Sequence, residues 1–390
     1  MESKIKKSFL IIFAVLFIFV ETNLKLSLGY ETPAIRVAVL KDVSEFELSI
    51  RGRFKLLDPL SNQVLKEERT FPGGKVYSKN NGIYIKNEFY PLKRLKIISS
   101  KDVTIAALGK SFRYRDTIEI ILGADNKFTV INVLDLETYT KGVLYHEVSH
   151  RWPMEAVKAQ AVATRTYALY QSTIKKDQLY DVSSDIYSQV YGGRSAERYR
   201  TNIAANRTRG QILMYDGKIL PAYFHATCGG HTENVKELWE HDDLPPLKGI
   251  VCLFCQEAPY HRWKTNFRSQ DVQMLLNKNG YKLDLIKEIK VLEKTESGRA
   301  KTLLITTRNG KTANISGKKF REIIGPNILK SNFFDIEMKG YYFDILGQGW
   351  GHGVGMCQWG AYFMSRQRYK YREILNFYYP GAEIVDYLDH

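Results

Sequence analysis

No stretch of this sequence is long enough and apolar enough to cross a membrane comfortably. The longest hydrophobic run, Phe9–Val20, has twelve residues, where a spanning helix takes roughly 20. Low-complexity segments and short internal repeats are also missing, which leaves ordinary globular organisation. Cysteine is scarce, with four in 390 residues. None of the four follows the apolar run, where a cysteine would mark a lipoprotein, and no Ala-x-Ala cleavage pattern stands there either.

What is present around that run is a basic stub, Lys4, Lys6 and Lys7, then the short apolar core, then the small residues Ser27-Leu28-Gly29. That layout predicts a secretory signal over residues 1–30, with an uncleaved signal-anchor as the alternative. Either way the protein is expected to work outside the cytoplasm, in the periplasm, cell envelope or extracellular space. The formal net charge is +15. Losing the first thirty residues, with four lysines and two glutamates, would leave +13. A basic protein suits nucleic acid, anionic lipid or an anionic polymer. Export removes nucleic acid and leaves acidic wall polymers. The membrane would be met only through an uncleaved N-terminal segment.

With 44% hydrophobic and 25% charged residues, the length supports two domains and a real core. Short β-rich runs fill the first part: Ile35–Leu40, Glu47–Ile50, Val76–Tyr77, Ile83–Ile85, Leu95–Ile98 and Ile118–Leu122. Pro72-Gly73-Gly74 and Asn80-Asn81-Gly82 read as turns between them. After Phe128–Leu134 the texture changes. A helical stretch begins at Asp135, and Pro153 opens a longer one to about Gln171, where proline and Glu155 suit a helix start. Polar loops and short strands follow from Asp185 to Asp243. A helix around Ser269–Asn279, strands at Ile286–Leu292 and Thr302–Thr307 and a helix around Lys318–Ile324 read as an inserted α/β piece. The chain then returns to strand at Tyr341–Leu346, and a helix starts near Gln358. The fold class predicted is α+β. A β-rich domain over residues 31–125 precedes a mixed α/β catalytic domain over 126–390, with an insert at about 265–335.

The long helix is apolar on more than one side, as buried helices are. Yet Lys158 and Arg165 lie on one line with Met154 and Ala161. Two cations on a buried face call for an anionic partner or a wet cleft. Five glycines within Gly347–Gly355 let a backbone approach a ligand closely. They lack a Walker lysine and a Rossmann context, so a phosphate cradle is not the expected reading.

Three stretches carry candidate chemistry: Tyr145–Pro153, Phe224–Asn234 and Gly347–Ala361. The first overlaps Lys141-Gly-Val-Leu-Tyr-His-Glu-Val148 and runs into Pro153-Met-Glu-Ala-Val-Lys-Ala-Gln-Ala-Val-Ala-Thr-Arg-Thr-Tyr-Ala168. With Gln189-Val-Tyr-Gly-Gly193, Phe224–Asn234, Gly298-Arg-Ala300, Ser331-Asn-Phe-Phe334 and Gly351–Ala361, it resembles the stage II sporulation protein D family, also called the SpoIID/LytB domain. The likeness covers about two thirds of the chain, and its specificity lies in several motifs agreeing in order.

The resemblance implies a peptidoglycan lytic transglycosylase that cuts the MurNAc–GlcNAc β-1,4 bond and leaves 1,6-anhydro-MurNAc ends. Its substrate would be glycan strands stripped of peptides by a partner amidase. It places the catalytic glutamate at Glu147 and puts the family's lysine, arginine and tyrosine at Lys158, Arg165 and Tyr167. The residues around Glu147 agree. Val143, Leu144, Val148 and Trp152 form an apolar setting of the kind that raises a carboxyl pKa, as a general acid requires. Hydrolases pair two carboxylates, whereas a lytic enzyme can manage with one because the sugar's own 6-hydroxyl is the nucleophile. No second catalytic carboxylate stands out: Glu155 suits a helix start and Glu233 a turn.

Gln189, Tyr191, His225, His352 and Gln358 are candidate groove residues, with Tyr167 and Trp359 offering stacking faces. The other branch of the family is described as an enhancer of an N-acetylmuramoyl-L-alanine amidase, so a non-catalytic activator is the alternative. A third reading is a wall-binding protein led by its β domain. Sporulation members can carry zinc on a Cys…His-Cys cluster before the Gln-x-Tyr motif, but Val182–Ser188 here has neither residue. No cofactor is required. Cys228, Cys252, Cys255 and Cys357 could make a closed structural zinc site, and disulfides compete in an exported chain.

Overall fold

The computed structural model describes residues 33–185, 189–239 and 243–387. The signal expected over residues 1–30 lies outside them. No helix among the described residues is long and apolar enough to cross a membrane.

The first part is a β sandwich. One sheet has seven strands in the order Val182–Ser183, Ala34–Val43, Phe128–Asp135, Thr117–Leu122, Arg94–Ser99, Phe54–Leu57, Val64–Glu68. The other has six: Lys110–Tyr114, Val103–Ala107, Glu45–Ile50, Phe71–Lys79, Gly82–Ile85, Glu88–Tyr90. Alternation builds the core between them. Phe46, Leu48 and Ile50 point inward while Glu45 and Glu47 stay exposed, as the period of two requires. Phe46 meets Phe128 of the other sheet edge-on at 5.7 Å.

The six strands read from the sequence are all present, with longer bounds. Pro72-Gly73-Gly74 is not a turn. It lies inside the Phe71–Lys79 strand, where Leu48 pairs with Gly74 and Ile50 with Phe71. Two residues there oppose one, a β-bulge that glycine accommodates.

Phe128–Asp135 is the hinge of the fold. It pairs with Ala34–Val43 and Thr117–Leu122, and its last residue caps the next helix, Leu136–Glu147. The Asp135 carboxylate accepts from the Glu137 and Thr138 N–H groups at 3.0 Å, satisfying two orphan donors of the first turn. The long helix, Met154–Ile174, is buried from both sides. Ala168 and Leu169 join the sandwich core. Ala159, Val162 and Ala163 join a second core built from the C-terminal helices and the motif loops. That double contact explains a helix apolar all round. The short helix Tyr199–Arg207 was not anticipated. Only Thr201, Ala204 and Ala205 of its face are buried, too weak a stripe among arginines and asparagines.

The stretch expected as an insert shares a core with the strands flanking it, around Trp263, Leu303, Phe320 and Phe343. Its elements match expectation: helices Ser269–Lys278 and Gly317–Ile324, and strands Ile286–Lys294 and Ala300–Thr307. The architecture is α+β with a β-rich N-terminal part.

Candidate active site

Glu147 is the last residue of its helix, and two distant segments reach its carboxylate. The Val190 N–H reaches Oε1 at 3.3 Å and the Gln358 side-chain amide reaches Oε2 at 3.4 Å. Both contacts are at the long end for hydrogen bonds. They draw the pKa down, but burial outweighs them and pushes it up to about 7. Removing a carboxylate from water disfavours the charged form, and Val148, Val157 and Trp152 provide the apolar wall nearby. A carboxyl half-protonated near neutrality is suited to proton transfer in either direction.

A chain of amides holds Gln358 in place. Its Nε2 also donates to Gln160 Oε1 at 3.3 Å, and Gln160 Nε2 donates to Thr164 Oγ1 at 3.2 Å. Gln160 and Thr164 were missed in the sequence. The signal was available, because they are a polar pair one turn apart on an alanine-rich helix whose burial leaves them no water. Gln189 is tied in from the other side: it accepts from Tyr139 Oη at 2.8 Å and donates to the Thr164 carbonyl at 3.4 Å. Glu147, Gln189 and Gln358 therefore share one connected polar cluster. Trp152, Trp359 and Tyr362 pack together beside it at 5.0–5.1 Å between rings.

His225 and His352 form a neighbouring pair, with ring centroids 5.6 Å apart. Burial, joined by the positive charge of nearby arginines, holds His225 well below the usual histidine range and His352 down at about 3. Both are neutral at physiological pH. His225 Nδ1 faces the Val354 carbonyl at 3.1 Å, so it carries the proton. The Nε2 acceptor of His225 is buried without a hydrogen-bond partner. His352 Nδ1 accepts from the Val354 N–H at 3.1 Å. Tyr223 stacks on Trp239 at 4.4 Å, with Tyr167 and His352 against their edges.

Three of the expected groove residues are committed elsewhere. Arg165 is fully buried and forms a two-pronged ion pair with Glu137, with both contacts at 2.8 Å, and also donates to the Gln211 and Ala205 carbonyls. Lys158 pairs with Glu155 at 2.7 Å, and Glu155 in turn accepts from the Tyr371 N–H at 3.0 Å. These are the anionic partners that two cations on a buried face called for. Tyr191 hydrogen-bonds Asn132 at 2.7 Å and stacks on Tyr139 at 5.4 Å, between helix and sandwich. It fits there because residue 142 is glycine: a Cβ would stand 2.4 Å from the Tyr191 ring.

Two buried glutamates elsewhere in the chain are engaged. Glu137 holds Arg165, and Glu233 accepts from Thr295 and Ser297 at 2.7 and 2.9 Å. The motif loops interlock behind the site: Phe224–His225 runs parallel to Met356–Cys357, Thr227 bridges to Trp350 and Glu233 to Val354. Arg299 crosses this junction, donating to the Cys228 and His231 carbonyls. Gly353 is required there, since a Cβ would lie 2.5 Å from the Arg299 guanidinium. Cys228, Cys252, Cys255 and Cys357 come together in the same core, all buried and with no disulfide between them.

Comparison with known proteins places this site in context. Residues 124–215 match the family described as stage II sporulation protein, and residues 254–355 match a domain of unknown function. The chain is similar to an uncharacterized protein of Brachyspira hyodysenteriae, 38% identical over 259 residues, covering 66% of this chain and 68% of that one. It is similar to the stage II sporulation protein D of Bacillus subtilis, 30% identical over 269 residues, covering 65% and 75%. The amidase enhancer of Bacillus subtilis is 27% identical over 290 residues, and the match covers 63% of this chain and 40% of the enhancer.

Proposed function

The chain belongs to the stage II sporulation protein D family, and on that premise we propose that it is an exported peptidoglycan lytic transglycosylase with Glu147 as its acid and base. The observation that carries this reading is the Glu147 carboxyl itself, half-buried and pushed up to about 7 by desolvation, with the Val190 N–H and the Gln358 amide on its two oxygens. Protonated Glu147 donates to the glycosidic oxygen between MurNAc and GlcNAc as the C1–O bond breaks. The resulting carboxylate takes the proton of the MurNAc 6-hydroxyl while that oxygen closes on C1. The product carries a 1,6-anhydro end, Glu147 recovers its proton, and no water is consumed. One carboxyl serves both steps, in keeping with the engagement of Glu137 and Glu233 elsewhere.

The remaining groups support and orient. Gln358 and the Val190 N–H stabilise the carboxylate formed after the first transfer. The unpartnered Nε2 of His225 offers an acceptor to a sugar hydroxyl, and the aromatic groups around Trp359 and Tyr223 offer stacking faces for the rings. The net charge of +15 suits an anionic wall. The preferred substrate would be strands from which an amidase has removed the peptides.

A second reading follows from the similarity to the amidase enhancer, in which the chain binds glycan and activates an amidase without cleaving. Incubating intact sacculi and peptide-free strands with wild-type and Glu147→Ala chains separates the two. Soluble fragments from the wild type alone support the enzyme. Absence of fragments, with full stimulation of an amidase by Glu147→Ala, supports the enhancer.

A further inference from the structure

The mechanism makes no use of the four cysteines, yet they form the tightest cluster of ligating groups among the described residues. Their sulfurs come from three separate segments: Cys228 in the Phe224–Asn234 loop, Cys252 and Cys255 in a Cys-x-x-Cys turn, and Cys357 at the start of the Gln358–Arg366 helix. All four lie within 4.8 Å of one another, and each is fully buried. We propose that Cys228, Cys252, Cys255 and Cys357 hold a structural zinc ion in a closed tetrathiolate site that clamps the segment carrying Gln358.

All four sulfurs lie within 4.8 Å of one another, with Cys228 and Cys255 at 3.3 Å, a mutual proximity that suits one four-sulfur centre better than two separate disulfides. Zinc with sulfur at ~2.3 Å puts tetrahedral sulfurs ~3.8 Å apart, every one near the other three. Two disulfides would instead produce two close pairs with no need for mutual proximity. The surroundings suit thiolates. Backbone N–H groups point at the sulfurs: Cys228 and Gly360 to Cys357 at 3.3 Å, and Gly230 to Cys228 at 3.4 Å. Cys357 also sits at the positive end of its helix as the N-cap. Buried Arg299, bonded to the Cys228 carbonyl at 2.8 Å, supplies a cation beside a centre whose net charge is −2. Tyr378 Oη lies 3.2 Å from Cys252 and His261 Nδ1 lies 3.7 Å from Cys255, the outer partners that orient ligand sulfurs. No fourth position is left for water, so the ion is structural. Loading is balanced as Zn²⁺ replacing four thiol protons.

The consequence reaches the active site through one peptide bond. Cys357 precedes Gln358 and pairs in parallel with His225, so fixing the sulfur fixes the origin of the Gln358 side chain. Gly360, in the same turn, packs so closely that a Cβ would stand 3.2 Å from the Cys252 sulfur.

The test is metal analysis of the full-length chain purified without chelators or added zinc, combined with thiol counting. The proposal expects one zinc per chain by elemental mass spectrometry and four sulfur neighbours at ~2.3 Å by X-ray absorption. It also expects four thiols that alkylate only after denaturation. Cys255→Ser and Cys357→Ser should each lose most of the zinc. If those variants do not fold, the wild-type measurements still decide. A metal-free wild type lighter by four hydrogens, with no alkylatable thiol, would mean two disulfides and overturn the proposal. Stoichiometric iron in place of zinc would overturn it equally.

Discussion

Gln358 donates to Glu147 across 211 positions of sequence, at 3.4 Å, and the same amide group reaches Gln160. A side chain at the start of one helix is thus held by the long helix and presented to a carboxyl at the end of a third. The contact stabilises the ionised glutamate, while burial stabilises the neutral one. Burial wins, and a carboxyl at about 7 is the outcome.

Glycan cleavage should follow the protonated form of Glu147. With the pKa at about 7, kcat/KM is expected to be flat on the acid side and to fall about tenfold per pH unit well above neutrality. Initial rates on peptide-free strands across the pH range measure this. A limb near the ordinary glutamate value would mean that Glu147 is not the acid.

Gln358→Leu removes a hydrogen bond that lowers the Glu147 pKa. The alkaline limb should therefore move to higher pH, while kcat falls because the carboxylate of the second step loses a donor. A drop in rate with an unmoved limb would leave Gln358 a purely structural residue.

Stability should respond to the same proton with a definite sign. The folded chain keeps the Glu147 proton to about 7, whereas the unfolded chain releases it near 4.5. Ionisation therefore penalises the native state progressively between those values and fully above the upper one. Glu147→Gln carries no such penalty. Relative to the wild type it should gain stability between about pH 4 and about pH 8, by at most about 3 kcal/mol. Urea unfolding at the two pH values reads the difference.

Arg165 and Lys158 should behave differently despite lying on one helix face. Arg165→Met strands Glu137 in the interior and should cost about 3–5 kcal/mol. Lys158→Met breaks a pair whose side chains keep 15% and 22% exposure, and should cost no more than about 1 kcal/mol. Melting curves test both, and a KM change in a fully stable Arg165→Met chain would return that residue to the glycan groove.

Much of this was legible in the sequence where the relevant physics is local. Strands such as Glu45–Ile50 announce themselves by alternation, and the insert's elements fall close to their expected bounds. Glu147 was marked by its motif and by its apolar neighbours. The Pro72-Gly73-Gly74 bulge was not legible, because a bulge and a turn draw on the same residues and only the partner strand decides between them. Pairings made at long range were hidden for a related reason. The need of Arg165 for an anion could be read from its burial, but Glu137 is separated from it by a whole helix and a loop. Tyr191 looked like a sugar ligand until Asn132, in a sandwich strand, proved to hold its hydroxyl. The route from Gln358 through Gln160 to Thr164 depends on how two helices cross, which no spacing within either one specifies.

The central claim is tested most directly by mass spectrometry of peptide-free glycan strands after incubation with wild-type and Glu147→Gln chains. The account predicts fragments from the wild type whose new ends are lighter by one water than reducing ends, and none from the variant. Fragments with ordinary reducing ends, or anhydro-ended fragments from both proteins, would contradict it.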